Sequence, residues 1–426
     1  MIERAILNNL QLTEIQKAKS EAPMILVQKY GGTSVGTPER IKAVARRIIA
    51  SKEAHPHLVV VVSAMGDATD ELIALANQIT LQPDLREYDA VISTGENISA
   101  ALLSMAIIAQ GTRAISLTGN QAGIKTESIY SRAKIVHVDP TRIFNELKSN
   151  KVVIVTGFQG INSEEDVTTI GRGGSDTSAV VLAAALGAEE CEIYTDVDGV
   201  YTTDPRLVPS AKKLKEISYE EMLELASLGA KVLHPRSVEC AKENGIVIHV
   251  RSSFNQDEGT RVKEVTSMEV NRPVTGIALN EEQATVSILK VPDKPGVAAK
   301  IFSKLAEAHI NVDMIVQSIE ENQINNITFT VARDDLEMTK TLTNQIAKDL
   351  EAEGIKWNDF IAKLSIVGVG MISKPGIAAR MFRVLGENNV NIEFISTSEI
   401  KISCVVNRKD AQRALEALHR EFNLDA

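Results

Sequence analysis

A lysine and a pair of glycines follow the first strongly apolar segment of the chain. Residues 29–35 read Lys-Tyr-Gly-Gly-Thr-Ser-Val, one residue after the apolar run 24–27. Because glycine has no Cβ, Gly31 and Gly32 let backbone N–H groups come close to an anion, and a helix starting near Pro38 would point its positive end at the same place. The pattern therefore predicts a strand that ends in a phosphate site. It is not a Walker A loop, in which the lysine follows the glycines.

Two further segments have residue types suited to binding charged ligands. Residues 171–178 read Gly-Arg-Gly-Gly-Ser-Asp-Thr-Ser and precede an alanine-rich stretch that ends at Leu186. The guanidinium of Arg172 is a planar fork that suits a carboxylate, and Asp176 can cap the helix that follows. Residues 193–206 run from an apolar segment into a turn rich in Asp and Tyr. Taken alone, residues 171–178 are equally consistent with an ordinary capped helix start, and residues 193–206 are more typical of an ordinary turn.

The first two-thirds of the chain must place these loops. Short runs of Val and Ile without polar alternation predict strands covered on both faces, and helical patterns separate them. We therefore expect a three-layer α/β architecture with a largely parallel central sheet over residues 24–270, its glycine loops following strands. The predicted strands are 59–62, 114–117, 152–155, 191–194 and 246–250, and the predicted helices include 70–79, 98–110 and 220–226.

The last third contains an internal repeat. Residues 293–302 match residues 373–382 at an offset of 80, and residues 311–315 match 391–395 at the same offset. Each copy reads as a βαββαβ module with a Lys-Pro-Gly loop that opens a helix. The N–H groups there can meet the carboxylate of an amino acid, and Ala298 is expected to leave little room for added bulk. The alternative is a pair of ferredoxin-like modules that only dimerise.

Composition limits the other possibilities. The chain has 426 residues, which predicts two or three domains, and a net charge of −10 with only 4% aromatic residues argues against nucleic-acid binding. No uninterrupted apolar run of about 18 residues is present, so we expect no membrane span and a cytoplasmic location. The three cysteines are widely spaced, which predicts neither disulfides nor a zinc site. The pair Glu220 and Glu221 is expected to lie on a solvated face.

In this order, the three motifs closely resemble those of the aspartate kinases, members of the amino-acid kinase family. Residues 63–69, 94–96 and 231–235 add to the resemblance, which covers residues 24 to about 426. The repeats resemble tandem ACT domains, which are small amino-acid sensors. The resemblance implies an N-terminal extension over 1–23, a kinase domain over 24–270, and ACT domains over 271–350 and 351–426. His234, one residue before a proline, is expected to be structural and not catalytic.

The resemblance also implies roles for particular residues. It implies catalytic roles for Lys29 and Asp176, and ATP as the phosphoryl donor with Mg²⁺ carried mainly on the phosphates and no protein metal ligand. The expected contacts with L-aspartate come from Ser63, Thr69, Glu96, Arg172 and Ser175. The expected contacts with the nucleotide come from Lys29, Gly31, Gly32, Ser34, Thr195, Asp196, Tyr201, Arg206, Lys231 and Val232.

For the repeats, the resemblance implies feedback inhibition by amino acids, with lysine and threonine as the expected pair, and a homo-oligomer (dimer or tetramer) formed through the ACT domains. Two rival interpretations stay open: a kinase for glutamate or a nucleoside monophosphate, and a catalytically silent amino-acid-binding regulator. The expected effector residues are Asp293, Gly296, Val297, Ala298, Asn311, Asp313, Gln317, Gly376, Ile377, Asn391 and Glu393.

Overall fold

The computed structural model of the chain describes residues 25–229, 232–264, 272–319 and 324–425. It divides into two compact units. The first contains the chain up to Val200 together with Lys215–Tyr219 and Val232–Glu264. The second contains Tyr201–Leu214, Glu220–Lys231 and the chain from Val265 onward.

The first unit is built on an eight-stranded sheet in the order β10-β12-β11-β9-β1-β2-β6-β3. Every neighbouring pair is parallel except β11 and β12, which confirms the largely parallel sheet predicted from the unbroken Val and Ile runs. The strands are β1 (Ile25–Tyr30), β2 (His57–Val62), β3 (Ala114–Leu117), β6 (Val152–Thr156), β9 (Glu190–Thr195), β10 (Glu216–Ser218), β11 (Val247–Ser252) and β12 (Thr260–Lys263).

A smaller sheet lies in the same unit, in the order β5-β4-β7-β8. Its strands are β4 (Ile124–Thr126), β5 (Ile135–Val138), β7 (Gln159–Ile161) and β8 (Val167–Thr169). The helices of this part of the chain are α1 (Pro38–Ala54), α2 (Ala68–Ile79), α3 (Leu85–Ile92), α4 (Thr94–Ile108), α5 (Thr141–Lys148), α6 (Gly174–Leu186) and α8 (Pro235–Asn244).

Helices α3 and α4 together form the longest apolar helical stretch. By length and composition alone, Leu85–Ile108 is long enough to cross a membrane, and half of the apolar window is buried inside the protein. The buried side of α4 includes Ala100, Leu103 and Ile107, which pack in the same core as Ile41 and Ile48 of α1. A core helix of this kind passes the same test of length and composition, so the stretch is weak grounds for a membrane span.

The second unit holds two four-stranded antiparallel sheets, in the orders β15-β16-β14-β17 and β13-β18-β20-β19. The first contains β14 (Gln283–Pro292), β15 (Val312–Ile319), β16 (Ile324–Ala332) and β17 (Gly354–Asn358), with helices α9 (Val297–Glu307) and α10 (Leu336–Asp349). The second contains β13 (Gly276–Asn280), β18 (Ile361–Val367), β19 (Ile392–Thr397) and β20 (Lys401–Asn407), with α11 (Ile377–Glu387) and α12 (Ala411–Glu421). The two predicted modules are thus present as folded sheets with helices.

The sheets do not divide at the predicted limits 271–350 and 351–426. Strand β13 precedes the first module, yet it pairs with β18 of the second, with Asn280 opposite Lys363. Strand β17 follows residue 350, yet it pairs with β14 of the first module, with Thr285 opposite Asn358. The first module is therefore inserted between two strands of the second.

Helix α7 (Tyr219–Ser227) corrects one prediction. Glu221 is only 2% exposed, so the solvated face expected for it is wrong. Its Oε1 accepts hydrogen bonds from the Thr275 hydroxyl at 2.6 Å and from the backbone N–H of Val369 at 3.0 Å. Glu224, one turn further on, forms an ion pair with Lys401 of β20. Two acidic residues of α7 therefore fasten this helix to the second module.

Candidate active site

Lys29 lies near the carboxyl end of β1, where it is flanked by Val61 of β2 and Ile193 of β9. Its ammonium Nζ is 2.5 Å from Oδ1 of Asp176, and both side chains are largely buried. Asp176 belongs to the first turn of α6. The positive end of a helix and a buried cation thus meet at one place, which favours an anionic ligand there.

Of the two glycines that follow Lys29 and Tyr30, Gly32 is required by a close contact. A Cβ built on Gly32 would lie 2.9 Å from the carbonyl oxygen of Ala64, whereas one built on Gly31 would be in ordinary contact, at 3.5 Å, with the Lys29 Nζ. The Gly66 N–H donates to the Gly32 carbonyl at 3.0 Å, so the loop after β2 closes over the glycine pair. The same loop includes Ser63, and Thr69 follows in the first turn of α2.

Glu96 lies in the first turn of α4 and is 3% exposed. Its Oε1 accepts the N–H of Ala64 at 3.1 Å, while its Oε2 has no hydrogen-bond partner among the described residues. Burial raises the pKa of Glu96 to about 7, although the N–H donors at its carboxylate act in the opposite direction. A buried carboxylate with one oxygen unpartnered is suited to receive a cation from a ligand.

Arg172 is exposed and forms no ion pair within the described part of the chain. It stands between Gly171 and Gly173, whose φ angles of 82° and 70° lie in the left-handed region. Ser175 follows in α6 and is packed against Gly157, where an added Cβ would lie 2.7 Å from the Ser175 Cβ. The loop thus presents a guanidinium next to the helix that carries Asp176.

The expected nucleotide residues are spread over both units. Ser34 is buried and its hydroxyl lies 2.5 Å from that of Ser253, while the Thr195 hydroxyl donates to the Asp196 carboxylate at 3.1 Å. Tyr201 and Arg206 belong to the second unit, where Arg206 is paired with Asp204. Lys231 lies outside the described residues, and Val232 precedes α8.

The structure adds contacts that the sequence did not indicate. Asp89 of α3 is fully buried and accepts four hydrogen bonds from Ser131 and Thr169. Arg236 of α8 donates to the carbonyl of Ile170 at 2.5 Å and to that of Ala133 at 3.3 Å. Neither residue stands in a motif, and both act on backbone groups far away in sequence.

His234 caps α8, in agreement with the structural role expected for it. Its Nδ1 accepts the N–H of Arg236 at 3.3 Å, and its ring lies so close to Gly173 that an added Cβ would be 2.2 Å from the ring Cγ. Burial, helped by the nearby Arg236 guanidinium, lowers the pKa of His234, although Asp176 acts in the opposite direction. A neutral ring keeps Nδ1 free to accept, as the cap requires.

In the second unit, a cavity of about 280 Å³ lies beside the loop of the second repeat. Gly376 and Ile377, two of the expected effector residues, line it, while the other side comes from the β19–β20 turn and not from Asn391 or Glu393. Its lining is Met371, Lys374, Gly376, Ile377, Ala378, Thr397, Ser398, Glu399 and Ile402.

The first repeat looks different. Ala298 is exposed, as are Asp293, Gly296, Asn311 and Gln317, so the crowding expected at Ala298 is wrong for this chain. The reason is that its loop stands at the surface of the module, where residues 293–296 are all exposed and, at the start of α9, Val297 packs against the core while Ala298 faces outward. Asp313 forms an ion pair with the buried Lys363 of β18, so this carboxylate already has a cation from the second module.

Comparison with known proteins agrees with this architecture. The sequence profile of the amino acid kinase family matches residues 24–252, more than half of the chain. Profiles of the ACT domain match residues 284–351 and 364–422. The chain therefore belongs to the amino acid kinase family and carries two ACT domains after its kinase region.

Full-length relatives narrow the class. An aspartokinase of Bacillus sp. strain MGA3 is 50% identical over 400 residues, which cover 94% of this chain and 97% of the relative. An aspartokinase of Pseudomonas aeruginosa is 50% identical over 406 residues, which cover 94% and 98%. Within the family, the chain is one of the aspartokinases, and it is an enzyme of that class.

Solved structures of an aspartokinase also match this chain, at lower sequence identity. Aspartokinase III of E. coli, in complex with aspartate and ADP, is 26% identical with a TM-score of 0.77, and the match covers 93% of this chain and 99% of that one. The same E. coli protein has also been solved with lysine and aspartate, at 27% identity and a TM-score of 0.75.

Proposed function

We propose that this enzyme transfers the γ-phosphoryl group of ATP to the β-carboxylate of L-aspartate, giving 4-phospho-L-aspartate. The observation that carries the proposal is the grouping of Lys29, its glycine loop and Glu96 around one loop after β2. The Gly32 carbonyl accepts from Gly66 of that loop, and Ala64 of the same loop donates to Glu96. The loop after β2 therefore lines both the proposed site for the ATP phosphates and the proposed site for the ammonium group of aspartate. The complex of E. coli aspartokinase III with aspartate and ADP supports both ligands.

The chemistry needs positive charge more than it needs a base. The side chain of aspartate has an ordinary pKa of about 3.9, so its carboxylate is already an ionised nucleophile at neutral pH. The barrier comes from bringing this anion to an anionic phosphoryl group, and preorganised cations lower it. Lys29 serves this purpose between the β- and γ-phosphates. Asp176 fixes the ammonium at 2.5 Å and takes no proton.

The α-amino and α-carboxylate groups of aspartate orient it. Glu96, with Oε2 unpartnered among the described residues, receives the ammonium, and Arg172 binds the α-carboxylate. Ser63, Thr69 and Ser175 then orient the β-carboxylate. On the nucleotide side, the glycine loop with Ser34, Thr195, Asp196, Tyr201, Arg206, Lys231 and Val232 holds ATP.

Mg²⁺ is proposed to bind the phosphate oxygens and not protein ligands. The described residues contain one group of carboxylates and histidine close enough for a metal, Glu190, Glu192 and His249. His249 is bound on one side by Glu190 at 2.9 Å, and Arg251 and Arg261 neutralise the carboxylates. This donor set is an ion-pair network. When bound, Mg²⁺ would neutralise part of the negative charge of the ATP phosphates that are proposed to lie beside Lys29.

Regulation is proposed to act through the ACT domains, with lysine and threonine as the effectors. The cavity of the second repeat supports an amino-acid ligand, since the Gly376 and Ile377 backbone, Lys374 and Glu399 offer partners for both charges of a zwitterion. The E. coli aspartokinase III structure with lysine supports lysine. We also retain as a proposal that the first repeat binds an effector through the residues expected there: Asp293, Gly296, Val297, Ala298, Asn311, Asp313 and Gln317.

The chemistry of the product supports a proposal for the pathway in which the enzyme acts. An acyl phosphate of aspartate is an activated intermediate, so the reaction would be the first step toward lysine, threonine, methionine and diaminopimelate in the cytoplasm. A dimer or tetramer through the ACT domains would couple the effector sites of several chains. We also propose a kinase domain over 24–270 and, in place of the expected limits 271–350 and 351–426, a first ACT domain over 283–358 that is inserted into a second ACT domain made of 276–280 and 361–421.

One assay tests the function. ADP release is measured with ATP and aspartate, glutamate, a nucleoside monophosphate or no acceptor, and then with aspartate plus lysine and threonine, singly and together. We expect aspartate to give the fastest turnover and the amino-acid pair to inhibit most. Equal rates with glutamate would favour the other amino-acid kinases, and no release above background with any acceptor would favour the silent regulator.

A further inference from the structure

The loop that carries Arg172 is held from one side by α3. Asp89 accepts the N–H and hydroxyl of Thr169 at 2.8 and 2.7 Å, and the N–H and hydroxyl of Ser131 at 2.8 and 3.3 Å. The N–H of Ala133 donates to the carbonyl of Thr169 at 2.9 Å, so the two segments lie side by side. Asp89 therefore satisfies donors on both segments just before the loop begins.

From α8, Arg236 binds the acceptors on the same two segments. Its Nη1 donates to the carbonyl of Ile170 at 2.5 Å, and its Nη2 donates to that of Ala133 at 3.3 Å. Ile170 is two residues before Arg172. The neighbouring His234 ring lies against Gly173, directly after Arg172. The start of α8 thus contacts the loop on both sides of Arg172.

We propose that Arg236 is a positioning residue for aspartate binding, acting through Arg172. This inference rests on the proposed role of Arg172 as the group that binds the α-carboxylate. Among the described residues, the hydrogen bonds of the Arg236 guanidinium go to the carbonyls of Ile170 and Ala133, neither of which is a proposed substrate ligand. It fixes the backbone from which the Arg172 guanidinium extends.

The physical need for such a residue comes from the loop. Gly171 and Gly173 have φ angles of 82° and 70°, and glycine reaches several other backbone regions with little cost, so the loop has alternative paths. Arg172 itself is exposed and forms no ion pair among the described residues, and the bond from the Gly174 N–H to the Gly171 carbonyl at 2.9 Å lies within the loop and does not tie it to another element. A planar fork that bridges two carbonyls selects one path. A lysine offers one ammonium and cannot reproduce the fork.

The test compares Arg172→Ala, Arg236→Ala, Arg236→Lys and the double variant Arg172→Ala/Arg236→Ala in steady-state kinetics. If Arg236 positions Arg172, Arg236→Ala raises the aspartate KM about tenfold, because a small displacement of a binding group is enough to lose its contact. The ATP KM stays within about twofold of the parent value. In the Arg172→Ala background, removal of Arg236 causes no further loss of kcat/KM for aspartate beyond about twofold. The reason is that both substitutions remove the same contact, the one between Arg172 and the α-carboxylate.

Two controls separate this role from a general loss of structure. Arg142→Ala, an exposed arginine on α5, should behave as the parent. Thermal unfolding is recorded for every variant, and if Arg236→Ala does not fold, Arg236→Lys carries the test with the same expected split between the aspartate and ATP KM values.

The outcomes distinguish the inference from the function on which it rests. Losses that multiply in the double variant, or an equal rise in both KM values, would overturn the positioning role while leaving Arg172 as the aspartate ligand. An unchanged aspartate KM in Arg172→Ala would overturn the role of Arg172 and the inference with it.

Discussion

The ammonium of Lys29 lies 2.5 Å from the carboxylate of Asp176, joining the carboxyl end of β1 to the first turn of α6. Both groups are largely buried, so the cation is fixed in direction before any ligand arrives. A lysine held in this way needs no rearrangement to meet charge that develops on a phosphoryl group, which is the condition under which electrostatic stabilisation is most effective.

Replacement of this lysine tests that idea. Lys29→Ala should lower kcat by about 10² to 10³, the loss expected when one preorganised stabiliser of transition-state charge is removed. The measurement is ADP release at saturating aspartate and ATP, with Lys42→Ala, an exposed lysine of α1, as the control. A kcat within about threefold of the parent would remove Lys29 from the mechanism.

The pH dependence of aspartate binding tests Glu96. With a pKa of about 7 in the free enzyme, Glu96 is protonated in mild acid and can receive an ammonium only after losing that proton. The aspartate KM should therefore fall as the pH rises through 7, and Glu96→Gln should raise the KM and flatten its pH profile. A parent-like profile in the variant would assign the dependence to another group.

The effect of Glu96 on the free energy of unfolding should depend on pH in the opposite sense from its effect on aspartate binding. Because the folded state holds the Glu96 proton more tightly than the unfolded chain, stability from this group is complete below the ordinary pKa of 4.5 and is lost as the pH rises through about 7. Glu96→Gln should thus be more stable than the parent at about pH 8, by at most about 3 kcal/mol, and the advantage should shrink as the pH falls toward 4.5. Denaturant unfolding without ligands at several pH values measures it. A constant difference between the two proteins would contradict the raised pKa.

The cavity of the second repeat offers a test of regulation. Ala378 lines it, so Ala378→Val should weaken inhibition by the effector amino acids while kcat without effectors stays near the parent value. Ala379 is exposed on the same turn of α11, and Ala379→Val is the matched control. Inhibition curves with lysine and threonine, singly and together, provide the readout. Identical curves for the parent and both variants would show that this cavity is not an effector site.

Glu221 carries a structural prediction. Glu221→Ala leaves the Val369 N–H and the Thr275 hydroxyl without their acceptor, and it should lower the free energy of unfolding by about 1–3 kcal/mol. Glu239→Ala, at an exposed position on α8, serves as the control. If the two variants unfold at the same denaturant concentration, Glu221 contributes no more than a surface residue.

Much of the fold was predictable because its signals are local. Runs such as 59–62 are apolar at every position, which identifies a strand covered on both faces, and the glycine loops follow such strands. The position of Lys29 near the end of a strand was predictable because the apolar run before it stops there and two glycines follow; its proposed role remains a prediction. The repeat was visible from a fixed offset of 80 residues between similar segments.

The remaining features depend on contacts that no local pattern encodes. Glu221 looks like a surface residue next to Glu220, and only the distant Thr275 and Val369 make it a buried acceptor. Arg236 comes one residue after the segment 231–235, of which only Lys231 and Val232 were expected to contact a ligand, yet its guanidinium donates to the carbonyl of Ile170. A carbonyl acceptor exists at every residue, so sequence cannot say which one an arginine will reach.

The pairing of β13 with β18 has a consequence for how such a chain can change. Along the chain, the inserted module is connected to its host sheet by two short segments, residues 281–282 and 359–360, and Asn280 already stands opposite Lys363. Excision of residues 283–358 would leave β13 and β18 connected by a short hairpin turn, with every strand of the host sheet retained. The same excision would remove Asp313 and leave the buried Lys363 of β18 without the carboxylate that pairs with it. A module exchanged at this point must therefore bring a carboxylate to the same place, even though it is connected to its host by only two short segments of chain.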